Sequence, residues 1–409
     1  MSRPPGAVPP QLSPAAAAGT LRRVARFLGR ALPLCRAHTV EFYTRGLWQR
    51  LVAPPPAAVL EALRARGPLA LRCPLAEASG APAALWDDDT FSNVFCENSG
   101  KLINVHLFAL AAQYYSFANL GVCTPLEDVL EALRGDNQGT TGIKTDEFMN
   151  NKKSHEVQVM SELVDKIANH CGIKQDSMIV GLHTCGDLAA NTLRIFTAKP
   201  EIKAVCSVGC CYHLLSEQFE NQEDRPEQVW GFPLCQYLKD KSWCCGRNAR
   251  MSACLALERV AVGQMLPTES LFYRAVLQVI IEEMYGVSKS DRHVGKTFSK
   301  SSSFIDYVRK SLKKLELDDS KIPDSCIMDY YEKYKHRMNE LEAFNMLKVV
   351  LAPCIEVLIL LDRLCYLKEQ DNIAWSGLVK LFDPVKSPRC YAVIALKKQS
   401  CFQVEANCR

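Results

Sequence analysis

The 409-residue sequence has little net charge and lacks the features that define several protein classes. Its 49 basic and 45 acidic residues leave a formal charge of +4, so composition alone does not indicate a nucleic-acid-binding protein. The longest apolar stretch, 346–361, is interrupted by lysine, proline and glutamate and is shorter than the roughly 20 residues of a membrane span. We therefore expect a core helix there and no membrane association. With 48% hydrophobic residues, the chain is apolar enough for two or three folded domains.

The N-terminal residues show no apolar core or cleavage pattern of a secretory signal. The 19 cysteines are odd in number and include adjacent pairs, which suits a reducing compartment better than a disulfide framework. We expect an intracellular protein, most simply a cytoplasmic one, with mitochondria and the nucleus left open. Residues 1–40 contain six arginines and no acidic residue, which resembles a mitochondrial presequence. We favour the alternative, a disordered tail at 1–20 followed by the first helix of a domain.

Hydrophobic spacing divides the rest of the chain into consecutive ranges. These are a helical N-terminal domain (21–134), a polar glycine-rich linker (135–151), an α/β core (152–286), a basic and helical region (287–375), and a final strand packing on the core, followed by a tail (376–409).

Two short apolar runs in the core, 177–182 and 202–208, predict parallel strands buried on both faces. A helix over 188–198 connects them as one βαβ unit. A third strand is predicted at 391–397, and a long helix over 327–370 is expected to break near Pro353.

Both central strands end in polar residues. Because ligands bind beyond the carboxyl ends of parallel strands, we expect these residues to share one rim of the sheet. They are His183, Cys185 and Asp187 after the first strand, and Cys210, Cys211, Tyr212 and His213 after the second. The candidate catalytic residues are His183 as acid or base, Asp187 to orient it, Tyr212 as a hydrogen-bond donor, and Cys185 and Cys210 as thiols.

Other interpretations of the rim stay open. A zinc site has suitable atoms, but the rim cysteines lack the spacing of compact structural sites, and Cys210 and Cys211 should point to opposite faces of an extended chain, so we expect no metal. Cys185 activated by a neighbouring histidine is a second alternative. In the third, the cysteines pack as small hydrophobic residues and form no site.

A basic stretch with interleaved aromatic residues lies in the region 287–375. It could follow a phosphate backbone, but a solvated helix face is the commoner origin of such a pattern. Its members are Lys289, Arg292, Lys296, Lys300, Arg309, Lys310, Lys313 and Lys314, with Phe298, Phe304 and Tyr307.

Several motifs together resemble the methyltransferase-like protein 25 family, from about Lys152 to Lys397. They are KKSHE (152–156), LHTCGDL (182–188), VGCCYH (208–213), RNAR (247–250), DRLCYL (362–367) and FDPVKSPR (382–389). The resemblance implies a Rossmann-like, S-adenosylmethionine-dependent methyltransferase, with LHTCGDL at the end of the fourth strand beside the methyl donor and VGCCYH at the fifth. RNA is the substrate class suggested by analogy with a tRNA methyltransferase family that has similar motifs; a protein substrate is the other choice.

The sequence departs from that family at the cofactor site. In such enzymes a G-x-G loop after the first strand approaches the cofactor, yet no two of the 21 glycines here are separated by a single residue. Only Ile173 to Asp176 separate the end of one helix from the strand at Ser177. Since one βαβ unit takes about 30 residues, the first three strands cannot fit in that gap.

We therefore infer a variant that has lost the cofactor-binding half, most simply by exon skipping. It should have an incomplete Rossmann-like sheet of three or four strands, instead of about seven, with the strand at 177–182 on an open edge. The resemblance thus implies S-adenosylmethionine for the family and weak or absent binding by this chain. A non-catalytic binding or regulatory module is the alternative function.

Overall fold

The computed structural model describes residues 9–70, 91–133, 151–173, 177–220, 229–254, 268–287 and 294–398. The helices are α1 (Pro14–Arg36), α2 (Leu47–Leu51), α3 (Pro56–Ala70), α4 (Val105–Tyr114), α5 (Phe117–Leu120), α6 (Leu126–Ala132), α7 (Asn151–His170), α8 (Asp187–Ala198), α9 (Gln236–Asp240), α10 (Arg247–Ser252), α11 (Thr268–Tyr285), α12 (Phe304–Lys314), α13 (Asp324–Lys335) and α14 (Met338–Lys368). The strands are β1 (Cys123–Thr124), β2 (Ser177–Cys185), β3 (Ile202–Cys210), β4 (Ile373–Lys380) and β5 (Tyr391–Lys397).

The five strands form one mixed sheet in the order β1-β4-β5-β3-β2. β2 and β3 are parallel and connected through α8, as the βαβ prediction required. β5 is antiparallel to both β3 and β4. The strand predicted at 391–397 is confirmed. β1 and β4 add two strands that the sequence did not reveal, so the described sheet has five strands and the expected number of three or four was wrong.

β2 lies on the edge of this sheet among the described residues. Its side chains are mostly exposed or half-buried, whereas eight of the nine residues of β3 are buried. Burial on both faces, expected for both strands, is therefore found for β3 and was wrong for β2. Val180 in the middle of β2 is 44% exposed. The α/β fold with an incomplete, open-edged sheet is therefore confirmed.

Two compact units make up the chain, and each is discontinuous in sequence. Unit 1 contains Met1–Gly29, Gln113–Arg259 and Ala352–Arg409, and therefore the whole sheet. Unit 2 contains Arg30–Ala112 and Val260–Leu351 and is helical where it is described. The consecutive ranges expected from sequence remain predictions, and most of the 135–151 linker lies outside the described residues.

The core of unit 1 covers one face of the sheet. Leu163 and Ile167 of α7 pack with Val208 of β3 and Ile394 of β5, and Trp375 of β4 is fully enclosed. Inward residues of α7 recur every three or four positions, which places one stripe of the helix on the sheet. This packing fixes the strand ends that carry the polar rim.

Two expectations about local structure were wrong. Residues 14–20 belong to α1, and the indole Nε1 of Trp375 donates to the carbonyl oxygen of Pro9 at 3.0 Å, so the described part of 1–20 is ordered by contact with the sheet. α14 also continues through Pro353. The missing backbone donor costs about 3 kcal/mol, but most side chains from Leu347 to Leu361 are buried, and that apolar burial outweighs the loss.

α14 is also the one described helix long and apolar enough to cross a membrane. In its most apolar window, 83% of the residues are buried within the chain. That is the environment of a core helix, which meets the same length and hydropathy criteria.

Candidate functional site

The carboxyl ends of β2 and β3 lie side by side. Their parallel register pairs Ser177 with Ile202 at one end and Cys185 with Cys210 at the other. The turns that follow the two strands therefore meet at one rim of the sheet. Gly186 makes the first turn possible, because its φ is +53° and a Cβ there would lie 2.6 Å from the carbonyl oxygen of Leu214.

His183 occupies an irregularity in β2. The pairing shifts between Leu182 and Thr184, so His183 has no partner in the register, and its φ is +63°. A left-handed conformation is costly for histidine and is common at functional sites. Its side chain is 42% exposed, and Nε2 lies 3.3 Å from Oε2 of the buried Glu156. Ser387 donates to the other oxygen of Glu156 at 2.6 Å.

Three cysteines converge at the rim. The Sγ atoms of Cys185 and Cys210 are 2.9 Å apart, and those of Cys185, Cys210 and Cys211 all lie within 4.8 Å of one another. The expectation that Cys210 and Cys211 point to opposite faces was wrong. β3 ends at Cys210, and Cys211 adopts φ +42° and ψ +50°, so the chain is no longer extended where the second thiol leaves it.

Burial raises the pKa of the Cys210 thiol, and hydrogen bonds with Cys185 and Cys211 raise it further. Burial also raises the pKa of Cys211, with a further increase from its hydrogen bond to Cys185. A nucleophilic cysteine needs the opposite shift, so these two thiols are poor nucleophiles as they stand.

Asp187 and Tyr212 make structural contacts at the rim. Oδ1 of Asp187 accepts the backbone N–H of Ser216 at 2.7 Å, which holds the loop after β3 against the start of α8. Tyr212 is 1% exposed, and its hydroxyl donates to Oε1 of Glu356 at 2.8 Å. Both side chains are engaged within the fold, so His183 and Cys185 are the candidate catalytic residues that still have half-open surroundings.

His213 lies beside Cys254, with 3.6 Å between Nδ1 and Sγ. Burial lowers the pKa of His213, and the positive charges of Arg247 and Arg250 lower it further. The imidazole is therefore biased toward its neutral form, in which one ring nitrogen can accept a hydrogen bond or bind a metal.

The remaining motifs hold this rim in place through buried charged groups. Arg250 donates to the carbonyl oxygens of His213 and Leu215 at 3.1 and 2.5 Å. Asp362 accepts the N–H groups of Leu234 and Cys235. From sequence alone these residues are only marks of resemblance; in the structure they connect the loops around β3.

Sequence reasoning missed the carboxylates that receive these contacts. Glu156 contacts His183 and accepts a hydrogen bond from Ser387. Glu217 accepts hydrogen bonds from the N–H groups of Cys245 and Gly246, at 2.7 Å each. Glu356 accepts hydrogen bonds from Tyr212 and Arg389. Only Glu156 had a signal, its place in KKSHE. Glu356 lies within an apolar helix, where the sequence pattern shows an interruption and no partner.

Part of the basic stretch in unit 2 is paired with acidic neighbours. Arg309 pairs with Asp324, and Lys310 pairs with Asp306 at 2.8 Å. Phe304 and Tyr307 are 4% and 0% exposed, so they pack in the core and cannot stack on bases. The solvated helix face is the better interpretation of the described part; Lys289 and Arg292 lie outside the described residues.

The described residues offer no loop that fits S-adenosylmethionine. The sequence has no G-x-G, and the strands that would carry such a loop have no counterpart beside β2 among the described residues. Apolar surface is exposed there instead, at Val180 of β2 and at Leu188 and Ile195 on one face of α8. The short junction over 174–176 lies outside the described residues.

Comparisons with known proteins agree with this architecture. Residues 166–218, which include β2, α8, β3 and the cysteine rim, match a family described as a methyltransferase domain. The fold and the rim thus place the chain in the methyltransferase class. It is 44% identical over 584 residues to the human "Probable methyltransferase-like protein 25", covering 93% of this chain and 97% of that protein. The mouse relative is 42% identical over 582 residues, with 93% and 96% covered.

The chain belongs to the methyltransferase-like protein 25 family. No solved structure matches it. The extent of the human alignment is itself informative. It spans 584 residues, whereas 93% of this 409-residue chain is about 380 residues. About 200 positions of the relative therefore have no counterpart in this chain.

Proposed function

We propose that this chain is a form of an S-adenosylmethionine-dependent methyltransferase that does not bind the cofactor and does not transfer methyl groups. The observation that carries the proposal is the position of β2. It is the edge strand of the described sheet, with its outer side open and Val180 44% exposed, where the expected fold would continue into the cofactor-binding strands.

Two further observations support the proposal. The human relative has about 200 positions that this chain lacks, enough for several βαβ units at about 30 residues each. The two apolar residues exposed on α8, Leu188 and Ile195, are seven positions apart and share a helix face. An exposed apolar edge and an exposed helix face beside it are what the loss of a covering half would leave.

RNA is the substrate class that we propose for complete members of the family, by analogy alone. In those members S-adenosylmethionine would supply the methyl group. For this chain the same open edge favours a second candidate function, a non-catalytic module that pairs with another protein. We place both forms inside the cell, most simply in the cytoplasm.

A chimera tests the first proposal. The missing segment of the human relative is inserted between Gln175 and Asp176, and cofactor binding is measured by calorimetry for the original chain and the chimera. We expect binding by the chimera and none by the original chain. Micromolar binding by the original chain would overturn the proposal. The intact human relative serves as the positive control for the assay.

A second measurement separates loss of the cofactor site from misfolding. Far-ultraviolet circular dichroism and size-exclusion chromatography show whether the original chain is folded under the conditions of the titration. A folded chain that shows no cofactor binding in the titration supports the proposal. If the original chain transfers methyl groups from the cofactor to cellular RNA in a filter assay, the proposal is wrong.

A further inference from the structure

The three rim thiols form a preassembled cluster that the proposed function does not use. Cys185 comes from the end of β2, Cys210 from the end of β3, and Cys211 from the turn after it. Their Sγ atoms lie within 4.8 Å of one another. The strand register and the left-handed conformation of Cys211 bring the sulfur atoms together, so no loop has to move to form the cluster.

We propose that Cys185, Cys210 and Cys211 bind a thiophilic metal ion, Zn²⁺, as three thiolates. With Zn–S bonds of about 2.3 Å and tetrahedral angles, ligand sulfurs lie about 3.8 Å apart, a spacing that small side-chain rotations reach from the observed cluster. Thiolates select soft or borderline ions over Mg²⁺ or Ca²⁺. The site is independent of the proposed function, since it uses only residues that this chain contains.

One buried positive charge, that of Arg363, lies beside the cluster. Arg363 interacts electrostatically with Cys210. Its Nη1 lies against Gly209, so close that a Cβ on that glycine would be 2.4 Å away. Its Nη2 has no hydrogen-bond partner among the described residues. Three thiolates and one Zn²⁺ leave a net charge of −1, and the guanidinium opposes that charge.

Binding is a proton-release step with no change in oxidation state. Three S–H bonds break, three Zn–S bonds form, and three protons pass to solvent. Cys210 is buried, whereas Cys185 and Cys211 are half-exposed, so an ion can enter from the open side. The open side also leaves the fourth position to water, the arrangement of zinc sites that are not purely structural.

Cys254 is a further thiol close enough to interact electrostatically with Cys211, and its own contacts are with other groups. Its Sγ lies 3.6 Å from Nδ1 of His213 and 3.6 Å from the carbonyl oxygen of Arg250, outside the group of three. We therefore assign three protein ligands. Cys254 provides a matched control, because it is a neighbouring thiol outside the group of three.

The first test uses the unchanged full chain. The protein is reduced, stripped with a chelator and titrated with Zn²⁺, and metal content is measured after desalting. We expect one ion per chain. Alkylation followed by mass spectrometry should show Cys185, Cys210 and Cys211 protected by Zn²⁺, with Cys254 and Cys326 unchanged. A reduced, folded chain that retains no Zn²⁺ overturns the proposal.

The second test uses Co²⁺ as a spectroscopic probe. Bound by thiolates, Co²⁺ should give a sulfur-to-metal charge-transfer band in the near ultraviolet and the visible bands of a tetrahedral site. Cys185→Ser, Cys210→Ser and Cys211→Ser should each weaken Co²⁺ binding at least tenfold, while Cys254→Ser and Cys326→Ser keep the spectrum. Loss of the spectrum in Cys254→Ser contradicts the three-ligand assignment.

A disulfide between Cys185 and Cys210 is the competing outcome. If protein alkylated during lysis contains that disulfide, and the reduced chain binds neither Zn²⁺ nor Co²⁺, the pair is a redox couple and the metal proposal is wrong. The protection assay on the unchanged chain keeps the proposal testable even where a serine variant fails to fold.

Discussion

The hydroxyl group of Tyr212 lies 2.8 Å from Oε1 of Glu356, and the same oxygen accepts a hydrogen bond from Arg389 at 3.1 Å. Arg363 and Arg389 also lie over the tyrosine ring, 5.8 and 5.5 Å from its centroid. A residue that the sequence suggested as a substrate contact is therefore part of a buried charged network. The network ties the turn after β3 to α14 and to the loop before β5.

The first prediction follows from that bond. Tyr212→Phe removes the hydroxyl but keeps the ring, leaving Glu356 with one donor fewer in a buried setting. We expect the free energy of unfolding to fall by about 1–3 kcal/mol in urea titrations. Tyr330→Phe is the control, because it removes a surface bond to Glu283, where water replaces the lost partner. Equal effects of the two substitutions would contradict the buried network.

Asp187 provides a second prediction. Its Oδ1 accepts the N–H of Ser216, and Gly231 lies so close that a Cβ there would clash with the carboxylate. Asp187→Ala should lower the free energy of unfolding by about 1–3 kcal/mol, and Asp187→Asn, which keeps an acceptor oxygen, by less. Urea titrations compare both with Asp165→Ala, at an exposed position on α7. An alanine variant as stable as the parent chain would show that this carboxylate does not hold the loop.

Much of the α/β core could be predicted from local pattern, because a strand buried on both faces reads as a continuous apolar run. β3 follows that rule. The strand at Tyr391–Lys397 was predicted from its alternating pattern, and the helix between β2 and β3 from its place between two strands. β4 was missed because Ser376 and Gly377 interrupt its apolar run. The glycine has a tertiary cause, because a Cβ on Gly377 would lie 2.9 Å from the ring of Trp375.

The position of the site at the strand ends could be predicted from sequence, but the role of each side chain there could not. Strand ends can be located from sequence, so His183, Cys185 and Cys210 were found. Whether a side chain faces solvent or the core depends on partners far along the chain, such as Glu356 for Tyr212, 144 positions away. The position of Cys211 depends on one left-handed residue, which nothing in a Cys-Cys-Tyr sequence reveals.

The open edge of β2 yields a third prediction. Val180→Lys places a charge in the middle of the edge strand, where a second chain would pair, and should lower the aggregated fraction measured by light scattering after purification. Leu188→Lys is matched in charge and lies at an exposed position on α8 instead of the edge. It should have a smaller effect. Equal effects would mean that net charge, and not the strand edge, controls association.

Lys348 in unit 2 gives the pH prediction. Its Nζ donates to the carbonyl oxygen of Ala37 at 2.6 Å, and burial lowers its pKa to about 8, with a small opposing effect from Cys35. An unfolded lysine keeps a pKa of about 10.4, so between these values the unfolded chain binds more protons and stability gains from Lys348 as pH rises. The free energy of unfolding of the parent minus that of Lys348→Met should therefore increase by up to about 3 kcal/mol from pH 8 to 10.5. Taking the difference cancels the titration of the buried cysteines, which both proteins share. Urea titrations across this range provide the measurement, and a difference that stays flat or falls would show that the lysine is not held in a buried, proton-releasing site.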